Sequence, residues 1–375
     1  MSTLQDVLAA RTREGELYER SEKNWVHCYA CGHDCRIPDG ALGVCKVRFN
    51  QGGRLMVPWG YTGGVQCDPV EKKPFFHAHP GALAYSFGML GCDLHCGYCQ
   101  NWVTSQALRD SSAVVPPVDT TPGALVADAL RLGAKIVVST YNEPLITSEW
   151  GVAIFKEARA AGLMTGFVSN GNGTPRALEY IRPWIDLYKV DLKSFDDKHY
   201  RELGGRPQPI LDTIRRLHAM DVWLEIVTLL IPGFNDGDDE LSRLTEFVAS
   251  VSPNIPWHVT AFHGDYKMME QGNTTPAMLL RAAAIGRRAG LRFVYAGNLP
   301  DHVGDLENTY CPDCRELLVE RHGYFIRGYH LTSEGACPSC GVQVPGRWGR
   351  EFEGQVASRP FLPGSRRRLS MFSRF

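Results

Sequence analysis

The chain has no run of about 18 apolar residues, so it carries no segment with the length and texture of a bilayer-spanning helix. Its first twenty residues, MSTLQDVLAARTREGELYER, lack an apolar h-region and a small-residue cleavage site. They read as a charged amphipathic helix, and the expected location is cytoplasmic, with no membrane partner. Net charge is almost absent. A formal −1 over 375 residues removes the electrostatic reason to expect nucleic acid as the main partner. Apart from a βα alternation, no internal repeat of solenoid length is present. The composition is that of a globular protein, 44% hydrophobic and 22% charged, long enough for one large α/β domain with attachments or for two ordinary domains.

The chain is rich in cysteine. Eleven of the twelve cysteines fall in three groups, at 28/31/35/45, 92/96/99 and 311/314/337/340, and Cys67 stands apart. A disulfide framework belongs to short secreted chains without a core, whereas Cys-x-x-Cys pairs in a long cytosolic chain read as metal-binding.

The texture divides the chain into four parts. Residues 1–80 carry the helix and a Cys-, Gly- and Pro-rich module without sustained period. Residues 81–304 alternate short apolar runs with helical patterns. Residues 305–350 are again Cys-rich, and 351–375, with Arg366, Arg367 and Arg368, read as a tail. The alternation predicts strands at 83–90, 135–139, 165–169, 186–190, 222–230, 257–262 and 291–296. Helices are predicted at 121–133, 147–161, 175–182, 209–220, 238–251 and 276–289. Three of them open on Thr-Pro, an N-cap followed by a first-turn proline. Strands about 20 to 50 residues apart, with helices between them, predict an α/β fold with a parallel sheet. Six or seven such units suit a partial barrel, a partial (β/α)6 arrangement flanked by small metal-binding modules, whose chemistry would sit at the C-terminal strand ends.

The first of these strands runs into Cys92-Asp-Leu-His-Cys96-Gly-Tyr-Cys99. Three thiolates do not close a structural zinc site, which needs four protein ligands, unless His95 is the fourth. They do hold three irons of a [4Fe–4S] cube and leave the fourth iron open to a small chelator. With this motif at the end of the first barrel strand the chain resembles the radical S-adenosylmethionine (SAM) superfamily. The resemblance implies that Cys92, Cys96 and Cys99 hold the cluster and that Tyr98 lies along the adenine. Later strand ends carry further matches, several shared with pyruvate formate-lyase-activating enzymes. Asn142-Glu143-Pro144 stands where the superfamily has a Gly-Gly-Glu-type motif, Ser169-Asn170-Gly171 where ribose contacts are made, and Asp191-Leu-Lys193 and Ile231-Pro232-Gly233 follow. The implied SAM contacts are Tyr98, Asn101, Asn142, Glu143, Ser169, Asn170, Asp191 and Lys193. The catalytic candidates are Asp191, Lys193, His263 and Tyr266. Glu71, Lys72, Lys73, Asn101, Asp265 and Lys267 are further candidates for the substrate side, and Cys67 and Tyr266 are candidates for a hydrogen-atom relay. His258 reads equally as a satisfied core histidine.

Cys28, Cys31, Cys35 and Cys45 supply four thiolates for zinc, with His27 or His33 as substitutes and an auxiliary iron–sulfur cluster as the alternative. Cys311, Cys314, Cys337 and Cys340, as CPDC and CPSC, form a zinc-ribbon pattern. Between its knuckles Arg and Glu are mixed too evenly for a phosphate-binding face.

Beyond the core, Gly43-Val-Cys45-Lys-Val-Arg48, Asp68-Pro-Val-Glu71-Lys72-Lys73-Pro74, Cys99-Gln-Asn101-Trp102, Trp257-His258 and Glu307-Asn-Thr-Tyr310-Cys311-Pro312 resemble the radical SAM enzyme of the AmmeMemoRadiSam system over residues 22–348. That resemblance implies reductive cleavage of SAM to a 5′-deoxyadenosyl radical that takes hydrogen from a substrate. It also implies an electron donor such as flavodoxin or ferredoxin, and Memo-like and AMMECR1-like partner proteins. An activase acting on a partner protein and a non-catalytic metal scaffold are the rival readings.

Overall fold

The computed structural model describes residues 3–349 and Phe352. Its centre is an eight-stranded sheet. In chain order the strands are β1 (Gly64–Pro69), β2 (Leu83–Gly88), β3 (Ile136–Ser139), β4 (Met164–Ser169), β5 (Leu187–Asp191), β6 (Trp223–Leu230), β7 (Trp257–Ala261) and β8 (Val294–Gly297). Neighbours in the sheet follow chain order from β8 at one edge to β1 at the other. β2 to β8 pair in parallel. Six βα crossovers link those seven strands into the expected partial barrel. β1, whose residues sit in the Cys-rich stretch by sequence, instead pairs antiparallel with β2, with Cys67 opposite Tyr85.

The crossover helices are α1 (Pro122–Arg131), α2 (Ser148–Ala160), α3 (Pro175–Ile181), α4 (Pro207–Ala219), α5 (Asp238–Val251) and α6 (Pro276–Arg288), with a short helix, Asp197–Glu202, between β5 and α4. The Thr-Pro starts act as caps: Thr121, Thr174 and Thr275 accept from the backbone N–H groups of Ala124, Ala177 and Met278. The helices cover the outer face of the sheet through Leu125, Trp150, Phe155, Ile210, Leu244 and Ile285.

The N-terminus differs from its reading as one amphipathic helix. The helix stops at Ala9, and Thr12–Glu14 and Tyr18–Arg20 are strands. Thr12–Glu14 pairs with Arg54–Pro58, and the Arg13 guanidinium lies 3.3 Å from the Trp59 ring centroid. Sheet pairing and stacking thus win over a helix too short to be stable alone.

After the barrel, Leu317–His322 and Phe325–Tyr329 form a hairpin. Its apolar residues Leu318, Val319 and Ile326 share a cluster with Phe76, Phe293 and Tyr295, so the ribbon borrows its core from the barrel. Below the sheet's centre, both oxygens of Glu225 are used. They accept from the backbone N–H groups of Phe76 (3.0 Å) and His77 (2.9 Å), from Trp223 (3.0 Å) and from His258 Nε2 (2.6 Å). His258 is therefore a satisfied core histidine. His77 Nδ1 donates to the Pro345 carbonyl (2.7 Å) and Nε2 faces the Tyr295 hydroxyl (2.6 Å). Arg321 donates to Phe76 O and Thr309 Oγ1, each at 2.7 Å. Of the tail at 351–375, all but Phe352 lies outside the described residues.

Candidate functional site

The loop after β2 carries Cys92, Cys96 and Cys99. It begins at Gly91, whose φ of +95° and 2.7 Å clearance to Val47 Cγ1 at the Cβ position both require glycine. The three thiols, with Tyr98, line a cavity of about 840 Å³ at the C-terminal strand ends. Asn101, Asn142, Glu143, Ser169, Asn170, Asp191, Lys193 and His263 line it as well, so all but one of the SAM-contact and catalytic candidates meet in one space. The exception is Tyr266. Its ring stacks on Trp102 at 5.1 Å and its hydroxyl donates to Asp110 Oδ2 at 2.8 Å, in a neighbouring surface pocket shared with Asp265 and Lys267. Cys67 does not line the cavity; its side chain is half-buried on the antiparallel edge strand.

The strand ends are tied to one another by hydrogen bonds. Glu143 Oε1 accepts from Ser169 Oγ (2.6 Å) and Leu145 N (3.0 Å), and Oε2 from Asn170 N (2.8 Å). Burial, and then the nearby Asp93 carboxylate, push Glu143 up to about 8. Asn142 Oδ1 accepts from Met89 N at 2.9 Å and so fixes the start of the cluster loop. Asp93, between the first two cysteines, accepts from Asn170 Nδ2 and Asn172 Nδ2, both at 2.7 Å. It is fully buried and anchors the cluster loop to the end of β4. Sequence reasoning missed it because an aspartate among cysteines carries no period; its position inside the Cys-x3-Cys spacer is the available signal.

Asp191 sits between two lysines. It contacts Lys189 Nζ, and its other oxygen is 3.5 Å from Lys193 Nζ. Burial works against this charge, but the two ammonium groups outweigh it and hold Asp191 below its ordinary value. Lys193, only partly exposed, is held strongly protonated by Asp191 and the thiols. The cavity continues past this triad to Lys73, whose Nζ is 3.2 Å from both Asp68 Oδ2 and the Tyr141 hydroxyl. It ends against Gly323, Tyr324 and Phe325 at the tip of the ribbon hairpin. Glu71 and Lys72 line the same space. Lys189 was missed, because a single lysine inside an apolar strand reads as part of that strand.

The metal-binding sets differ in spacing. None of the twelve cysteines is in a disulfide. Among the described residues, Cys311, Cys314, Cys337 and Cys340 are the set of metal-binding side chains whose ligand atoms all lie within 4.8 Å of one another. Cys311 Sγ–Cys340 Sγ is 3.5 Å and Cys314 Sγ–Cys337 Sγ is 3.6 Å. A tetrahedral ion with zinc–sulfur bonds of 2.3 Å sets its sulfurs roughly 3.8 Å apart. No three of Cys28, Cys31, Cys35 and Cys45 meet the 4.8 Å spacing, and neither do Cys92, Cys96 and Cys99.

Residues 88–245 match the model of the radical SAM superfamily. An uncharacterised protein of Methanocaldococcus jannaschii is 32% identical over 335 residues, covering 88% of this chain and 98% of the relative. The pyruvate formate-lyase-activating enzyme of Staphylococcus aureus is 30% identical over 196 residues, covering 49% of this chain and 76% of the relative. The chain belongs to the radical SAM superfamily. A radical SAM methyltransferase from Sphaerobacter thermophilus has 15% identity and a TM-score of 0.45, over 59% of this chain and 68% of that one.

Radical SAM enzymes use a [4Fe–4S] cluster, SAM and a reductant. The residues present fit both cofactors: three thiols on one loop face a cavity large enough for SAM, beside a partly buried, firmly charged lysine–aspartate pair. Among the described residues no helix is long and apolar enough to cross a membrane.

Proposed function

We propose that this radical SAM enzyme acts on a small molecule enclosed in the barrel cavity. The carrying observation is continuity: one space of about 840 Å³ runs from Cys92, Cys96 and Cys99 past Asp191 and Lys193 to Lys73 and the ribbon tip. When bound, the cluster supplies the electron that cleaves SAM to methionine and a 5′-deoxyadenosyl radical. In this reading Tyr98 and Asn170 border the nucleoside, and Lys193 faces the methionine carboxylate. Asp191 keeps Lys193 charged, and Lys73 and Tyr141 orient the substrate at the far end. The ribbon tip limits access of water.

The quoted motifs from Gly43 to Pro312 support membership of the AmmeMemoRadiSam group, with Memo-like and AMMECR1-like proteins as partners and flavodoxin or ferredoxin as donor. The gathered thiols of the ribbon support a structural zinc there. An activase role toward a partner protein is the second reading, favoured by the likeness to the pyruvate formate-lyase-activating enzyme.

The test is anaerobic 5′-deoxyadenosine formation from SAM with dithionite, wild type against Cys96→Ala. Formation by the wild type alone supports the enzyme reading. A wild type that binds iron and never cleaves SAM overturns it.

A further inference from the structure

The N-terminal quartet lies against the loop that carries the barrel thiols. His33, between Cys31 and Cys35, places Nε2 3.0 Å from the Asp93 carbonyl. Gly32 N donates to the Asn172 carbonyl at 2.8 Å, next to the Asn170–Asp93 contact. From the other side Arg109 bridges the Cys92 carbonyl and the Val44 carbonyl, each at 2.7 Å. Cys28, Cys31 and Cys45 are buried, and Cys31 and Cys45 pack with Val47 and Ile146 rather than facing solvent.

The spacing of these four thiols decides between the two metal classes. The ribbon thiols are gathered as a single tetrahedral ion requires, but no three of the N-terminal four are. Their backbones are tied into the surrounding structure. Cys28 and Cys35 face each other across paired strands. The loop of Cys45 is held by the Gly43 N–Arg48 O bond (2.8 Å) and by the buried Arg48–Glu149 pair (2.6 Å). Thiolates that ligate different irons of one cluster stand further apart than thiolates sharing one ion, and among the described residues the barrel trio, like the N-terminal four, is not gathered within 4.8 Å.

We propose that Cys28, Cys31, Cys35 and Cys45 hold an iron–sulfur cluster and not zinc, which gives this enzyme two neighbouring iron–sulfur sites and one zinc site. The inference uses the cluster reading of the barrel thiols but fails separately from it. The test is iron, sulfide and zinc counting on full-length wild type reconstituted anaerobically with iron and sulfide. The expected result is about six to eight irons and about one zinc per chain, since four thiolates hold either a two-iron or a four-iron cluster. About four irons and two zincs overturn the proposal, even in an enzyme that cleaves SAM normally. Two variants assign the metals. Cys31→Ser with Cys45→Ser should lose iron and keep its single zinc; loss of zinc with iron unchanged overturns it. Cys92→Ser with Cys96→Ser and Cys99→Ser should stay brown with about two to four irons; a colourless protein that retains its ribbon zinc, and so is folded, overturns it.

Discussion

The C-terminal ribbon leaves Cys314 and Cys340 exposed at the surface, whereas the N-terminal quartet buries Cys28, Cys31 and Cys45 and threads its loops under the cluster motif. The ribbon's polar attachments run to the floor of the barrel, through Arg321 to Phe76 and through His77 to Pro345. Those of the N-terminal module run to the catalytic strand ends, through His33 to Asp93 and Arg48 to Glu149. Both flanks are cysteine-rich and look alike in composition. The difference shows that one is an attachment whose metal site is self-contained, with only its hairpin tip closing the far end of the cavity, and that the other braces the loop carrying the barrel thiols. Damage to the first should remain local, and damage to the second should reach the cluster.

The largest effect should come from the buried ion pair. Arg48 and Glu149 are each no more than 1% exposed and share two contacts, at 2.6 and 2.9 Å, while Glu149 also accepts from Glu16 N and Leu17 N. Glu149→Ala leaves Arg48 charged and unpaired in the core, at a cost of roughly 3–5 kcal/mol. Urea denaturation should show this loss, and iron retention should fall with it. Unchanged stability would mean that the N-terminal module is not joined to the barrel as described.

Gly91→Ala tests the same contact more locally. A Cβ there would meet Val47 Cγ1 at 2.7 Å and the Cys45 carbonyl at 3.2 Å, with φ at +95°. Left-handed backbone strain adds about 1–2 kcal/mol and overpacking about 1–3 kcal/mol. Reduced iron content of the reconstituted variant is the expected readout, before any change in ribbon zinc.

These contacts also mark where sequence reading stops. The seven parallel strands were legible because β-branched runs such as Ile136–Ser139 recur at crossover spacing, and the Thr-Pro starts carry their own capping chemistry. β1 was not legible: GVQCDP has little apolar character, and it becomes a strand only because β2 offers an unpaired edge. In the site, the strand-end motifs were visible as short strings. Asp93, Lys189 and Glu225 were not, since their burial is permitted only by partners from other elements, such as Asn170, Asp191 and His258. Tyr266 lies in the neighbouring pocket for a related reason, because nothing in its motif shows that its hydroxyl turns to Asp110.

The ribbon's attachment should show in acid. Burial holds His77 down to about 4 from an ordinary 6.5, so the folded protein resists protonating it while the unfolded chain does not. The stability tied to neutral His77 is therefore complete above pH 6.5 and is lost progressively as pH falls toward 4, by about 3 kcal/mol in all. Glu225, held down to about 2, adds a further loss below pH 4.5. His77→Gln should flatten the profile between pH 6.5 and 4 while leaving the loss below 4.5. An equally steep profile in the variant would place the acid sensitivity elsewhere.

The smallest effect is the ribbon's counterpart to Gly91. Gly341 follows Cys340 with φ at +75°, but a Cβ there meets nothing within 4 Å. Gly341→Ala should cost only the left-handed backbone strain, about 1–2 kcal/mol, with no overpacking. Because that strain falls beside the gathered thiols, it should appear as weaker zinc retention in a chelator challenge. Iron content and 5′-deoxyadenosine formation should stay at wild-type levels. If Gly341→Ala instead drains iron as Gly91→Ala does, the ribbon is coupled to the cluster loop across the barrel, and the contrast between the two flanks fails at its local end.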